Sequence, residues 1–339
     1  MLWIWLACKA PKVEPSDSGQ KPSKSLSVVF ISDTHVIGPQ YECCSESDGI
    51  DNESIMKTPD RLRQVVEDLL MLEPEPEAVF MAGDVVHGAY FADNLDAYLS
   101  EENAFSVAAE ILEPLPMPVY PAFGNHDYHY RCSGDGHSKS LSHELFEHYF
   151  GVEPYYMVRL EGWKVIVLNS QLGSSWDSES ADCDTGVGSY GEAQLRWLDE
   201  ELSEGVPSLV LSHHMLSITR KNEVLDPDLS DVETVLTRHA ETVKGFFVGH
   251  THRWLDFSAA YDFPHTVLGA TRYDSDNFWL FDLDPHTDQY QIVDQTKAKW
   301  YTPCADTWIY QGMVDYDSIL NGLPYADPEE PEEAGDCEQ

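Results

Sequence analysis

Positive charge is what this chain has least of. Its 339 residues include 20 Lys and Arg against 60 Asp and Glu, a formal net charge of −40. Such a surface repels phosphate polyanions and anionic lipid headgroups at long range, which argues against a nucleic-acid polymer as substrate or partner. There is also no run of about 18 apolar residues, so no segment reads as a membrane span. None of the seven cysteines forms a C-x-x-C pair, which removes a zinc ribbon or a thioredoxin-type motif. No G-x-S-x-G occurs, and with it goes the usual elbow for a serine nucleophile. The Gly186-Val187-Gly188 run reads as a loop, not a phosphate cradle. Apolar material is not lacking: 42% hydrophobic and 12% aromatic content is enough for a folded core.

The ends differ from the middle. Leu2–Ala7 is apolar, Cys8 follows directly, and Lys9–Ser25 is rich in Pro, Ser and Lys, as a flexible tether is. The Trp5-Leu6-Ala7-Cys8 stretch resembles a bacterial lipoprotein cleavage site, although that pattern favours Leu where Trp5 stands and a small residue where Leu6 stands. The resemblance implies an exported chain, periplasmic or at the cell surface, that meets a membrane only through lipid on Cys8. The six other cysteines are an even number, which suits disulfides in an oxidising compartment. Residues 1–25 form the export and tether segment. Residues 26–296 show no internal repeat and no Pro/Gly-rich linker, and read as one catalytic domain. Residues 297–339 form an extension with an acidic tail from Asp327.

Within 26–296, short apolar runs alternate with helical patterns. Residues 27–32, 78–82, 119–123, 165–169, 209–212 and 246–248 are expected as strands, the first two buried on both faces. Thr58-Pro59 is expected to open a helix as N-cap and first residue, with Leu62, Val65, Val66, Leu69 and Leu70 on its apolar face. Residues 156–160 and 163–168 form a hairpin pattern around Glu161-Gly162. The end is strand-rich, at 265–269, 277–283 and 289–294. Strands with helices between them, then a run of strands, predict an α/β fold whose sheets are covered by helices on their outer faces.

Five of these strands end in polar clusters: Asp33-Thr34-His35, Gly83-Asp84, Gly124-Asn125-His126-Asp127, His213-His214 and Gly249-His250-Thr251-His252. Loops at the carboxyl ends of strands gather at one edge of such a sheet. Two aspartates, an asparagine and several histidines gathered there make a set of oxygen and nitrogen metal ligands. A single such motif would say little; five in order, each behind a strand, say much more. The series D-x-H, GD, GNH[DE], H and GHxH resembles that of the calcineurin-like metallophosphoesterases.

The resemblance implies a four-layer α/β/β/α sandwich and two metal ions. Asp33, His35 and His252 would bind the first ion. Asp84 would bridge both through the two oxygens of its carboxylate. Asn125, His213 and His250 would complete the second site. His126 would donate a proton to the leaving oxygen, and Asp127 would fix its tautomer. A hydroxide between the ions would attack phosphorus in line. The ions are divalent or trivalent Fe, Mn or Zn, which this ligand set does not distinguish. The substrate would be a small phosphate ester: a monoester, a cyclic nucleotide or a glycerophosphodiester. The purple acid phosphatase branch has Tyr three residues after the bridging Asp and lacks the His of D-x-H. This chain has His87 there and keeps His35, so it does not resemble that branch. His87 is expected behind the ligands or facing solvent, with a ligand role as the lesser alternative, and His213 as the ligand, with His214 as the lesser alternative. His129, His137, His143 and His148 are expected at the surface.

Cys43, Cys44, Cys132 and Cys183 lie in long polar loops after strand ends, and are expected to pair among themselves, 43 and 44 bonding outward to 132 and 183. Cys304 and Cys337 would then pair. The rival readings are a protein-binding module on a degenerate fold of this kind and a metallohydrolase of a non-phosphate ester. Against the first, every motif position is filled. If Cys8 carries lipid, the protein expressed in a bacterium with a complete signal sequence will sediment with membranes, and Cys8→Ser will move it to the soluble fraction; wild type found soluble would mean a plain secreted protein.

Overall fold

The computed structural model describes residues 26–42, 54–88, 90–134, 136–221 and 229–293, with short strands at 299–301, 308–310 and 314–315. In chain order the first elements are β1 (Leu26–Ile31), α1 (Thr58–Leu70), β2 (Ala78–Met81), α2 (Leu95–Ser100), α3 (Ala104–Leu112) and β3 (Val119–Pro121). Then come α4 (Lys139–Phe150), β4 (Tyr156–Leu160), β5 (Trp163–Val167), α5 (Glu192–Ser203), β6 (Ser208–Leu211), α6 (Val232–Arg238) and β7 (Val243–Val248). The end is β8 (Leu255–Asp256), β9 (His265–Val267), β10 (Phe278–Leu283), β11 (Tyr290–Val293), β12 (Lys299–Tyr301), β13 (Trp308–Tyr310) and β14 (Val314–Asp315).

A strand covered on both faces favours apolar side chains at nearly every position, as in residues 28–31 and Ala78–Met81. Successive side chains still alternate between two layers. In β1, Val28 and Phe30 enter one core cluster, and Val29 and Ile31 another. In β2, Ala78 and Phe80 go with the first pair, Val79 and Met81 with the second. The second sheet repeats the device: Val165, Val167, Leu209 and Leu211 share the cluster of Phe30, whereas Ile166 and Val210 pack with α5 and α6. The shared cluster is the middle of the molecule, and each outer cluster lies under helices. The result is the expected four-layer α/β/β/α sandwich. Phe30 sits at its centre, its ring centroid 4.5 Å from Phe281, 5.2 Å from Phe247 and 5.6 Å from Phe80.

One sheet has the order β11-β10-β1-β2-β3, with β1, β2 and β3 parallel. The other has the order β14-β8-β9-β7-β6-β5-β4, with β5, β6, β7 and β9 parallel. Helices make the crossovers from β1 to β2, β2 to β3, β5 to β6 and β6 to β7, and the carboxyl ends of β1, β2, β3, β6 and β7 carry the five polar clusters.

Two local expectations are corrected. Thr58 is the first helical residue, not a cap: its hydroxyl donates to the carbonyls of Ile55 and His35, at 2.8 and 2.9 Å. The start of α1 is thereby tied to the D-x-H loop. Leu70 is 47% exposed, while Leu62, Val65, Val66 and Leu69 are buried as expected.

His265 on β9 is buried, and both ring nitrogens are in use. Its Nδ1–H donates to the Phe246 carbonyl at 3.1 Å, and its Nε2 accepts from Leu216 N–H at 3.4 Å. Burial pushes its pKa down to about 4. The unfolded chain, with an ordinary histidine, therefore binds more protons between pH 6.5 and 4. Stability from this residue is whole above pH 6.5 and is lost as pH falls towards 4, by about 3 kcal/mol in all. Denaturant melts at pH 7.5 and 4.5 check this: the loss of stability on acidification should be smaller in His265→Gln than in wild type.

Candidate metal centre

The residues at the five strand ends converge. Asp33, His35, Asp84 and His252 present ligand atoms within 4.8 Å of one another, and so do Asp84, His213 and His250. Asp84 belongs to both groups. Its Oδ2 lies 3.5 Å from His35 Nε2 and 3.3 Å from His213 Nε2. Its Oδ1 is occupied elsewhere, accepting the His126 backbone N–H at 2.8 Å. Oδ2 thus faces both groups. On the first side, His252 Nε2 is 3.4 Å from Asp33 Oδ1 and 3.0 Å from His35 Nε2. On the second, Asn125 Oδ1 is 2.9 Å from both His213 Nε2 and His250 Nδ1.

The loops hold this arrangement by force of backbone geometry. Among the described residues six non-glycine residues have positive φ, and five are Asp33, His35, Asp84, His250 and His252. Left-handed backbone at such residues persists only where the surroundings over-determine it. Asp33 accepts the backbone N–H of His250 at 3.0 Å, which joins the D-x-H and GHxH loops across the two sheets. His213 Nδ1–H donates to the Ala82 carbonyl at 2.9 Å, leaving Nε2 for the cluster. Glycines allow the close approach. A Cβ on Gly124 would lie 2.2 Å from Asp84 N and Oδ1, and one on Gly249 would lie 2.2 Å from Ser32 Oγ.

Burial works against charge on these rings. It holds His35 and His126 below the usual histidine range, His87 at about 3 and His250 at about 4. Burial opposes charge on His213 as well, but the Asp84 carboxylate, with Asp33 and the Ala82 carbonyl, raises it to about 9. Burial would raise Asp84, yet His213 and His126 hold it well below the usual carboxylate range. The field around Asp84 thus favours a positive charge. Carboxylates, an amide oxygen and imidazoles in that field fit hard and borderline metal ions.

Other expected residues are placed less simply. His126 has its ring 4.8 Å from that of His35 and stacked at 4.5 Å on that of His87. Asp127 does not reach the His126 ring. Its Oδ1 accepts from Val86 N–H at 3.0 Å and its Oδ2 from Gly124 N–H at 2.8 Å. It is wholly buried, and burial, then the charge of Asp84, push it up to about 8. It holds the loop rather than the histidine. His214 belongs to neither group: its ring packs 4.4 Å from that of His250, but its Nδ1 is 2.8 Å from Ser170 Oγ. His129, His137 and His143 are half-buried rather than at the surface, and only His148 is exposed. His143 bonds the Tyr128 hydroxyl at 2.9 Å, and burial lowers it to about 4.

Cys132 and Cys183 form a disulfide with each other, which corrects the expectation that each would bond to Cys43 or Cys44. Those two, with Cys8, Cys304 and Cys337, lie outside the described residues. The disulfide clamps the segment after Gly124-Asn125-His126-Asp127 to the loop after β5. Around it, Lys139 Nζ donates to the Trp176 carbonyl at 2.8 Å, and Tyr130 stacks on Trp176.

The family model for calcineurin-like phosphoesterases matches residues 26–254, and the chain belongs to that family. Comparison with curated protein sequences gives no match. Among solved structures, the chain is similar to a dimetal phosphatase from Danio rerio, with a TM-score of 0.51 and 18% identity over 76% of this chain and 92% of that one. It is also similar to a purple acid phosphatase from yellow lupin, with a TM-score of 0.44 and 14% identity over 74% of this chain and 44% of that one. At 18% identity the Danio rerio structure speaks for the fold alone. Membership of the family makes the chain a metallophosphoesterase, and the clustered His and Asp residues suit its metal-binding character.

The close approach at Gly124 can be tested. Gly124→Ala puts a methyl group into Asp84, so metal bound per chain, measured by inductively coupled plasma mass spectrometry, should fall well below wild type while the thermal transition persists. Full metal content would show that the loop yields without moving Asp84.

Proposed function

We propose that the chain holds two metal ions and hydrolyses a small phosphate mono- or diester. The observation that carries this is the single oxygen, Asp84 Oδ2, standing between two sets of imidazoles. Asp33, His35 and His252 would hold one ion, Asn125, His213 and His250 the other, with Asp84 shared. Fe, Mn and Zn all suit the set. Bound there, the ions would lower the pKa of water and offset charge on the phosphoryl oxygens.

The chain's own residues do the rest. Ser32 Oγ–H and His250 N–H donate to Asp33, and His126 N–H donates to Asp84, so neither carboxylate needs to reorganise when an ester arrives. The backbone bond from His126 to Asp84 also sets where the His126 ring stands relative to both groups. From there His126, in its protonated form, would give a ring proton to the leaving-group oxygen. Asp127 supports this through the backbone of the loop. We further propose that the protein is exported and meets a membrane only through lipid on Cys8.

The test is a panel of mono- and diesters on metal-loaded protein, with p-nitrophenyl acetate as the non-phosphate control. Turnover of phosphate esters and not of the acetate is expected. His126→Ala should keep both ions and slow alkyl phosphates by about 10²–10⁴-fold, but p-nitrophenyl phosphates far less, since nitrophenolate leaves unaided. Equal slowing of both classes would assign His126 to binding instead.

A further inference from the structure

The geometry points to His87 as a positioning residue with two separable tasks: its Nδ1 fixes the tautomer of His35, and its ring holds the ring of His126. The inference rests on the two-metal reading above and adds a residue to it.

The first observation is how His87 reaches this place. The parallel pairing of β1 and β2 does not stop at the strand ends. His35 N–H donates to the Asp84 carbonyl at 2.8 Å, Val36 N–H to Val85 at 2.8 Å, and His87 N–H to Val36 at 3.0 Å. Val36 and Val86 form a bridge of their own, both fully buried. The ladder therefore carries His35 and His87 side by side out of the sheet, fixed by backbone bonds and by apolar anchors beside them.

The second observation is the contact that results. His35 Nε2 faces Asp84 and His252, and its other nitrogen, Nδ1, lies 3.0 Å from His87 Nδ1. Two ring nitrogens at that distance share one proton, with one donating and the other accepting. If His35 Nε2 gives its lone pair to an ion, the proton of the neutral ring is on Nδ1, and His87 Nδ1 must accept it. An acceptor on the far nitrogen is the usual device that orients a metal-bound imidazole, and its loss typically costs about 10–100-fold in metal affinity. In this chain a second imidazole takes the place that a carboxylate or carbonyl oxygen more often fills.

The third observation separates the tasks. The His87 and His126 rings are stacked, 4.5 Å between centroids and 21° between planes. Tyr41 closes the arrangement with its ring 5.6 Å from that of His87. The stack is a matter of shape and the contact with His35 a matter of one nitrogen, so each can be removed alone.

His87→Phe keeps a ring against His126 and deletes the acceptor. His87→Asn keeps an acceptor near the position of Nδ1 and deletes the ring. Metal affinity is read by chelator competition, and leaving-group dependence by the ratio of rates on p-nitrophenyl and alkyl phosphates. The expected result is crossed. The Phe variant loses about 10–100-fold in affinity for one of its two ions and, at saturating metal, keeps the wild-type rate ratio. The Asn variant keeps both ions and slows alkyl phosphates selectively. A Phe variant with wild-type affinity for both ions, or an Asn variant with the wild-type rate ratio, overturns the inference. If the Phe variant does not fold, His87→Leu removes the same acceptor and is read for metal affinity in the same way. Wild-type protein that binds no metal, or that cleaves no phosphate ester, would instead sink the underlying two-metal reading.

Discussion

Everything at this centre is arranged around one oxygen atom. Asp84 Oδ2 is wanted by two groups of imidazoles, and it can serve both only if the carboxylate is held still between them. The fold meets that demand from the backbone side. Oδ1 is tied to the His126 N–H, the residue itself sits in the left-handed region, and the absence of a Cβ at Gly124 lets the neighbouring loop close on it. Asp127 then ties that loop back to Val86, two residues beyond Asp84, so the GD and GNHD loops brace each other. A side chain outside both ligand groups thereby keeps their shared member in place.

The same logic explains why five motifs are needed and why they come from both sheets. The first sheet supplies Asp33, His35, Asp84 and Asn125, and the second supplies His213, His250 and His252. The middle layer of apolar side chains, centred on Phe30, sets the distance between the sheets and hence between the two halves of the His and Asp cluster. Polar precision at the edge depends on apolar packing beneath it, because close-packed interiors transmit small displacements rather than absorbing them.

The sequence made much of this readable for a definite reason. Strands buried on both faces leave unbroken apolar runs, and polar clusters directly behind such runs stand out; Asp33, Asp84, Asn125, His213, His250 and His252 were all visible in that way. The four layers followed from the order of strands and helices together with the family pattern. What stayed hidden depends on contacts between distant residues. That Asp127 braces backbone rather than a ring, that Cys132 chooses Cys183, and that His87 meets His35 all follow from how loops from different strands fall together, and residue type carries no trace of that. Thr58 shows the limit at short range: Thr before Pro has the look of a cap, yet its hydroxyl donates to the D-x-H loop.

The strand order also bears on how the molecule comes into being. β1 is flanked by β10, so Leu26 pairs with Leu283 and Ile31 with Phe278. Loop-closure entropy must be met before such distant contacts can reward it, and folds dominated by them form slowly. β1 cannot gain its second neighbour during synthesis until residue 283 has left the ribosome. Until then β1 offers an open, apolar edge beside the D-x-H loop. The sheet that carries the D-x-H, GD and GNHD loops therefore closes late, at the step when the two ends of the domain meet.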